Sequence, residues 1–150
     1  MRVVIQRVRR CEVRVGGETT GKIGCGMLVL VGVCSDDAQE DIDWLCGKIA
    51  RLRIFDDADG VMNLDVTQSG GEVLVVSQFT LYASTRKGNR PSYIRSAPES
   101  ISRPVYERFV ATLENLLGHP VPTGRFGADM QIDMLADGPV TICIDSQNRE

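Results

Sequence analysis

Hydroxyl and amide side chains follow an unbroken apolar run near the middle of the chain. Residues 73–76 are all valine or leucine, which is typical of a strand buried on both faces. The strand character continues beyond the run, so we predict one strand over residues 72–83. Because side chains alternate across a strand, Gln78 and Thr80 share one face and Ser77 lies on the other. These polar groups either form a rigid platform for chemistry or satisfy nearby backbone groups.

The chain offers few of the groups that usually activate a nucleophile. His119 is the only histidine, and it lies between Gly118 and Pro120 in a predicted loop. The five cysteines are odd in number and show no C-x-x-C spacing, which argues against a disulfide framework and a zinc site. We therefore expect any catalysis to proceed without a histidine base, and we predict no metal or other cofactor.

Two segments resemble ligand-binding loops, but their surrounding residues do not fit. Residues 16–22 match G-x-x-x-x-G-K, yet Ile23 stands where a phosphate-binding loop needs Ser or Thr, and a predicted strand follows instead of a helix. Residues 56–60 suggest a calcium loop, but its first and twelfth positions would fall on Phe55 and Val66. We predict a hairpin turn at the first segment and a tight turn at the second.

The net charge of −3 excludes a protein whose whole surface attracts nucleic acid. No acidic residue lies between Glu72 and Glu99, a gap that contains Arg86, Lys87, Arg90 and Arg95. A second basic group, interrupted only by Glu12, comprises Arg2, Arg7, Arg9, Arg10 and Arg14. Each group could hold a few phosphates or could be solvated surface charge.

Length and hydropathy predict one domain over residues 1–150. No apolar run approaches the roughly 20 residues that a membrane-spanning helix needs. Residues 1–7 lack the apolar core of a signal peptide. We therefore predict a cytoplasmic protein with no membrane contact.

Apolar periodicity predicts a first helix over residues 35–52, with Asp37 and Glu40 spaced as a capping box. The other expected elements are a bent strand or strand pair over residues 2–15, strands over 26–33 and 61–66, and two strands joined around 137–139. The tail over residues 146–150 is polar, and we expect it to be frayed.

A second helix has a clear end and an ambiguous start. Gly118 is a typical stop signal. The helix begins either with Ser102 as its cap or near Pro98, in which case it bends at Pro104. Its predicted buried stripe comprises Val105, Phe109, Leu113, Leu116 and Leu117.

The segment S-Q-F-T at residues 77–80, together with D-G-P-V-T at residues 137–141, resembles the D-aminoacyl-tRNA deacylase (D-tyrosyl-tRNA deacylase) family. Further segments match in the family's order, at residues 1–8, 53–55, 62–64, 90–92 and 123–130. The resemblance covers essentially the whole chain, and the joint pattern is specific although each piece alone is weak. Departures are small: Ala136 replaces a frequent Asn, and Tyr93 stands where Phe is common.

This resemblance implies a mixed α/β fold, a barrel-like pair of β-sheets flanked by two main helices, that assembles as a homodimer. The implied activity is hydrolysis of the ester joining a D-amino acid to the terminal ribose of tRNA, and of glycine mischarged on tRNA-Ala. Gly138 and Pro139 would form a cis element that enters the partner's site, where backbone carbonyls crowd any L side chain. Arg7 is expected to brace this element.

The implied catalytic residues are Ser77, Gln78, Phe79 and Thr80. An aminoacyl ester is already activated, so positioning and stabilisation of the oxyanion suffice. The backbone N–H of Phe79 is the candidate donor to the oxyanion. Thr80 is either a nucleophile or a positioning group, and we favour positioning because nothing near it in sequence would deprotonate it. The RNA hydroxyl and a water would then do the chemistry, while Gln78 orients the substrate or fixes the Gly-Pro element.

The expected tRNA-binding residues are Arg86, Lys87, Arg90 and Arg95, which would steer the phosphates of the acceptor end. Phe126 and Met130 either line a pocket for the terminal adenine or belong to the core. Two other functions stay open: a dimeric RNA-end-binding protein without turnover, and a small-ester hydrolase unrelated to RNA. The intact motifs argue against the first, and the second predicts indifference to charge reversal at the basic residues.

Overall fold

The structure, a computed structural model, describes residues 1–149 and is organised around one long strand. That strand, β1 (Arg2–Val15), lies inside a curled five-stranded sheet. The other strands of this sheet are β2 (Glu18–Ile23), β3 (Gly26–Gly32), β6 (Glu72–Ser77) and β7 (Gln131–Asp145). β2 and β3 pair in succession along one edge of β1, β7 pairs along the other, and β6 adds to β3 in parallel. A small separate sheet contains β4 (Phe55–Asp56) and β5 (Met62–Leu64).

The strand that carries the polar motif is shorter than its sequence indicates. β6 is fully buried over residues 73–76, as predicted. The predicted continuation to residue 83 is wrong, because the chain turns into a 3-10 helix at Phe79–Tyr82. β3 ends at Gly32, and the last bond to it joins the Gln78 N–H to the Val31 carbonyl (2.7 Å). Without a neighbouring strand, the backbone satisfies its polar groups locally.

The sheet has a separate apolar core on each face. Val73 and Val75 pack with the helices α1 (Gln39–Arg51) and α2 (Glu99–Leu117) on one face. Leu74 and Val76 fill the other face with residues of β1, β2 and β3. The alternation of a strand therefore places neighbouring residues in different cores.

The curl of the sheet depends on a close approach at Gly21. A Cβ at this position would lie 2.6 Å from the carbonyl oxygen of Thr123, and Thr123 forms a bridge with Val75 of β6. β2 therefore comes close to the far edge of its own sheet, which gives a half-barrel. The predicted mixed α/β fold with two main helices is confirmed. The barrel-like part consists of one curled sheet, and the second sheet is only a short hairpin.

The first helix begins later than predicted. The capping box at Asp37 and Glu40 is wrong: the N-cap is Ala38, whose N–H donates to the Asp41 carboxylate (2.9 Å). Asp37 instead accepts the Cys34 N–H (2.8 Å) and pairs with the N-terminal ammonium of Met1. The predicted apolar stripe is buried, however, and it packs on the sheet.

The second helix begins at Glu99 with Pro98 as N-cap, so the earlier of the two predicted starts is correct. Pro104 lies inside the helix and removes one backbone donor from its second turn. The helix ends at Gly118, whose φ of 77° is left-handed, as the stop signal predicted. Leu116 was predicted to be buried, but it is exposed because it lies on the outer side of the last turn.

The prediction that residues 137–139 join two neighbouring strands is wrong. The two halves of β7 lie end to end along β1, with Ala136 opposite Val8 and Thr141 opposite Gln6. Residues 137–140 therefore bulge out opposite the single residue between these pairs, and the Gly138-Pro139 peptide within the bulge is cis.

The two segments that resemble ligand-binding loops form turns, as predicted. The first glycine-rich segment forms the β1–β2 hairpin, and the Asp57 carboxylate accepts two N–H groups of its own turn. The tail is not frayed at Ser146, which is buried and donates its N–H to the Met1 carbonyl (2.9 Å). Residue 150 lies outside the described part of the chain. Over residues 1–149, no helix is long and apolar enough to cross a membrane, and no cluster of side chains suits a metal ion.

Candidate active site

A cavity of about 580 Å³ opens where β6 gives way to the 3-10 helix. Its walls come from the end of β3, the first turns of α2 and the segment before β7. Ser77, Gln78, Phe79, Phe126 and Met130, five of the residues singled out in the sequence, line it. The structure thus brings together two segments that lie about fifty positions apart in the sequence.

Gln78 and Thr80 contact each other directly. The Gln78 side-chain amide Nε2 donates to the Thr80 hydroxyl oxygen at 2.5 Å. This leaves the hydroxyl hydrogen of Thr80 free to donate elsewhere. No carboxylate or histidine of residues 1–149 hydrogen-bonds to Thr80, so the hydroxyl is held in place but has no base to activate it.

Ser77 is half-buried at the last position of β6, in register with Val31. Its hydroxyl has no hydrogen-bond partner within the described chain, and Gln78 bonds to Thr80 rather than to the backbone. The structure therefore does not support the alternative that these polar side chains satisfy nearby backbone groups. Ser77 and Gln78 line the cavity, whereas Thr80 is not among its lining residues and is connected to it through Gln78.

The turn at Phe79 changes what this residue presents to the cavity. Phe79 is the first residue of the 3-10 helix, so its N–H has no acceptor inside the helix. Its ring is 56% exposed and lies edge-on to Tyr93, with ring centroids 5.0 Å apart. The residue thus supplies an unpaired donor on the backbone and an aromatic ring at the surface.

Two residues hold this turn in place from below. A Cβ at Gly32 would lie 3.1 Å from the Gln78 carbonyl oxygen, so a glycine lets the turn cross closely over the end of β3. Tyr82, at the end of the 3-10 helix, is 2% exposed and anchors the segment in the protein interior. Burial raises the pKa of the Tyr82 phenol well above its usual range, so the anchor is neutral.

The opposite wall of the cavity is aromatic. The Tyr106 hydroxyl donates to the Val75 carbonyl (3.1 Å), and its ring lies 5.6 Å from that of Phe126. Arg103 covers the same Phe126 ring at 4.7 Å. Phe126 packs against the main core, Met130 packs against the second core, and both also line the cavity. A place in the core and a place in the lining of a pocket, the two alternatives for these residues, are therefore compatible.

Two aromatic residues of the cavity, Tyr93 and Tyr106, were not predicted from the sequence as site residues. Tyr106 lies three positions before Phe109 and seven before Leu113, so the helical period alone could have placed it on the buried face. Tyr93 lies in an irregular loop and carried no periodic signal. Only the approach of this loop to Phe79 brings it to the cavity.

Gly138 and Pro139 do not line this cavity. Both are exposed on the bulge of β7, at the sheet edge that no strand of the described chain covers. Arg7 lies beneath the bulge and is 8% exposed. Its Nη1 donates to the Ile54 carbonyl (2.7 Å), and its Nε lies 3.2 Å from the Asp137 carboxylate.

The two basic groups of the sequence have different surroundings. Every arginine of the N-terminal group forms an ion pair, with partners Asp145, Asp56, Asp137, Asp133 and Glu12. Arg86, Lys87, Arg90 and Arg95 are exposed, and none pairs with a carboxylate of residues 1–149. Only the loop group therefore offers uncompensated positive charge.

The Thr80 hydroxyl is held by Gln78 and has no base bonded to it within residues 1–149, although Glu99 and Asp129 line the adjoining cavity. This arrangement suits an acyl substrate that is already activated, and the curled sheet with two helices defines a recognisable fold. The model of the family described as D-Tyr-tRNA(Tyr) deacylase matches residues 4–145, and the chain belongs to this family. The predictions of the family and of a carboxylic ester hydrolase are confirmed at that level.

Similar proteins span the whole chain. A protein of Bacteroides thetaiotaomicron named D-aminoacyl-tRNA deacylase is 58% identical over 150 residues, covering 100% of both chains. A protein of the same name from Dechloromonas aromatica is 58% identical over 147 residues, covering 98% of each. A solved structure named c-Myc DNA Unwinding Element Binding Protein is 37% identical, with a TM-score of 0.90 over 97% of this chain and 98% of that one.

Proposed function

We propose that this protein hydrolyses the ester between a D-amino acid and the terminal ribose of tRNA, releasing the free D-amino acid and the tRNA. The carrying observation is the cavity at the end of β6, where Gln78 holds the Thr80 hydroxyl and the N–H of Phe79 has no acceptor inside its helix. Glu99 and Asp129 also line the cavity, but no carboxylate or histidine of residues 1–149 hydrogen-bonds to the Thr80 hydroxyl. An activated ester needs no strong base, so this arrangement fits it better than it fits an amide. We propose glycyl-tRNA mischarged on tRNA-Ala as a second substrate, since glycine lacks a side chain to exclude.

In this mechanism a water attacks the ester carbonyl, with the neighbouring ribose hydroxyl as the group that assists it. The N–H of Phe79 donates to the oxygen on which negative charge develops. The hydroxyl of Thr80, held by Gln78, positions the aminoacyl group. The C–O bond to the ribose then breaks, and the ribose oxygen takes the proton that the attacking water gives up, so that the free amino acid and the tRNA are released.

Chiral selection requires a second copy of the chain. The Gly138-Pro139 bulge is exposed and lies away from the cavity of its own chain, so its carbonyls can act only on the partner's cavity. The uncovered edge of β7 carries exposed Met134 and Leu135, which a second copy would bury. We propose a homodimer in which each bulge rejects L side chains from the site of the other chain. Arg7 holds the bulge by its contact with Asp137.

The four uncompensated cations of the loop support a polyanionic substrate. Phosphates of the acceptor end would lie near Arg86 and Lys87, with Arg90 and Arg95 steering the approach. Phe126 and Met130 would contact the terminal adenine in the cavity. We further propose that the chain is one domain and acts in the cytoplasm.

A second candidate is a protein that binds nucleic-acid ends without turnover. The similar solved structure that is named for binding a DNA unwinding element favours it. Turnover separates the two candidates, because a binding protein would protect an aminoacyl-tRNA rather than cleave it.

The test is single-turnover hydrolysis of one tRNA charged with either the D or the L form of the same amino acid. We expect fast cleavage of the D-aminoacyl-tRNA and an intact L-aminoacyl-tRNA. A free D-amino acid ester is the control for an RNA-independent hydrolase, and we expect it to be cleaved poorly. Binding of both charged tRNAs without cleavage of either would overturn the proposal in favour of the second candidate.

A further inference from the structure

Two hollows of this protein meet at the loop that follows the 3-10 helix. The main cavity is lined by Phe79 and Tyr93. A smaller hollow of about 370 Å³ is lined by Ser84, Arg86, Lys87 and Ser92. Ser92 and Tyr93 are consecutive residues, so the linings of the two hollows are contiguous along the chain. Aromatic side chains line the first hollow and cationic side chains line the second.

The loop that carries the cations is fixed at its base. Ser84 and Ser92 exchange two backbone hydrogen bonds, of 2.8 and 2.9 Å. This bridge holds Arg86 and Lys87 on the wall of the smaller hollow. Since no carboxylate within residues 1–149 pairs with either side chain, the hollow keeps its positive charge.

Phe79 and Tyr93, which line the cavity, and Ile94, which follows Tyr93 in the chain, are here called the stacking surface. These side chains are 56%, 39% and 90% exposed. Phe79 and Tyr93 meet edge-on, with an angle of 71° between their planes. In an edge-on pair at least one ring keeps an open face. Adjacent large apolar side chains left in water mark a site of interaction.

We propose that this surface and the adjoining hollow bind the unpaired nucleotides that precede the terminal nucleotide of the tRNA. A base stacks on Tyr93, and the phosphate beside it lies between Arg86 and Lys87. The inference rests on the proposed function, because it takes the cavity as the place of the terminal nucleotide. Stacking on an aromatic ring beside cations suits any base, since every base has a π-face. A second copy of this chain would bring its own uncompensated cations to the same place, which is unfavourable.

The experiment measures binding without chemistry. The probe is a fluorescent hairpin RNA with a single-stranded 3′ tail and no amino acid, and the comparison is the same hairpin with only its last nucleotide unpaired. We expect Tyr93→Ala to weaken binding of the tailed hairpin about tenfold, with Tyr93→Trp retaining it. Affinity for the short-tailed hairpin should be the same for all three proteins.

Salt dependence separates the stacking residue from the phosphate contacts. We expect Arg86→Gln to reduce the slope of log affinity against log salt by about 0.7, the value for one contact to a single strand. Tyr93→Ala should leave the slope unchanged. Arg108→Gln, which removes an exposed and unpaired cation from α2, is the matched control and should change neither slope nor affinity.

Wild-type binding of the tailed hairpin by Tyr93→Ala would overturn the inference, as would an equal loss on both hairpins. A change in sedimentation mass with Tyr93→Ala would also overturn it, in favour of an interface between copies. Hydrolysis of D-aminoacyl-tRNA by the wild type is measured separately, so a failure here leaves the proposed function standing. Absence of both hydrolysis and binding would remove the two together.

Discussion

At the scale of single residues, the contact between Gln78 and Thr80 decides what each side chain can do. A threonine hydroxyl that accepts a hydrogen bond from an amide gains no basic partner, so it cannot become a strong nucleophile. Sequence alone left the role of Thr80 open between attack and positioning. The hydrogen bond favours positioning, because it fixes the hydroxyl and leaves its hydrogen available for the substrate.

We expect Thr80→Ala to slow single-turnover hydrolysis of D-aminoacyl-tRNA by only about fivefold, the effect of losing one hydrogen bond of about 1 kcal/mol. Thr80→Ser, which keeps the hydroxyl, should restore the rate. A nucleophile would behave differently, since its removal typically costs many orders of magnitude. A loss greater than about a thousandfold would therefore assign the attack to Thr80.

Arg7 is the residue on which the position of the Gly138-Pro139 bulge depends. We expect Arg7→Lys to lower the ratio of the hydrolysis rate of D-aminoacyl-tRNA to that of L-aminoacyl-tRNA, because a lysine cannot contact Ile54, Asp56 and Asp137 together. The measurement is the rate for both aminoacyl-tRNAs. Arg10→Lys is the control, since Arg10 also pairs with a carboxylate of β7 but is exposed and lies away from the bulge. An unchanged ratio in Arg7→Lys would show that the bulge keeps its shape without the guanidinium.

Asp145 provides a pH dependence of stability. Burial raises its pKa, but the hydrogen bonds from Arg2 and the Gln147 N–H outweigh it, and the net shift is downward. A carboxyl with a lowered folded pKa stabilises the fold above its ordinary pKa of about 3.9, and this contribution is lost as the pH falls through the folded value. We expect Asp145→Asn to unfold more readily in urea at neutral pH and to approach the wild type in acid, once the pH has fallen through the lowered pKa of the folded Asp145 carboxyl. The exposed Asp36→Asn serves as control, and a stability gap independent of pH would contradict the assignment.

At the scale of elements, the 3-10 turn after β6 and the bulge in β7 are the two departures from regular structure to which we assign a function. β6 turns away where β3 has ended. In β7, Ala136 and Thr141 are five positions apart, but the residues of β1 that they pair with are only two positions apart, so the residues between them bulge. Neither event leaves a clear signal in local propensity, because each depends on a strand distant in the sequence.

Closure of the half-barrel depends on Gly21 in the same way. We expect Gly21→Ala to destabilise the protein by about 1–3 kcal/mol, since its Cβ would meet the Thr123 backbone at 2.6 Å and neither backbone can yield freely. The urea midpoint measures this. Gly24→Ala is the matched control, because its Cβ would lie 3.6 Å from the Glu72 carboxylate, an ordinary contact. Equal midpoints for the two variants would mean that the edge of β2 is not held against Thr123.

At the scale of the whole molecule, one chain does not bring together the two features to which we assign chiral selection. The cavity and the bulge lie apart, and the edge of β7 is uncovered within the described residues. In the proposed dimer, the bulge of one chain would lie over the cavity of the other, and the edge of β7 would be covered. The dimer stays a proposal, as do the single-domain organisation and the cytoplasmic location.

We expect Leu135→Asp to convert the protein to a monomer and to abolish discrimination against L-aminoacyl-tRNA, because an unpaired charge would be buried at the interface. Sedimentation and the ratio of D to L hydrolysis provide the two measurements. Leu116→Asp is the matched control, since both leucines are 49% exposed and Leu116 lies near the end of α2. A monomeric Leu135→Asp that still rejects the L substrate would show that selection needs no second chain.

The sequence by itself determined the features that follow from residue type and local period. The buried run of β6, the apolar stripe of α1, the stop at Gly118, the lack of a histidine base and the acid-free basic segment all depend on near neighbours, and so does the family pattern. The tertiary structure decided which polar groups meet and which charges stay free. The two basic groups look alike in sequence, yet one is neutralised by carboxylates, three of them more than a hundred positions away, and the other is not. Ion pairs and hydrogen bonds act over a few ångströms in space, and local patterning does not specify which distant residues come that close.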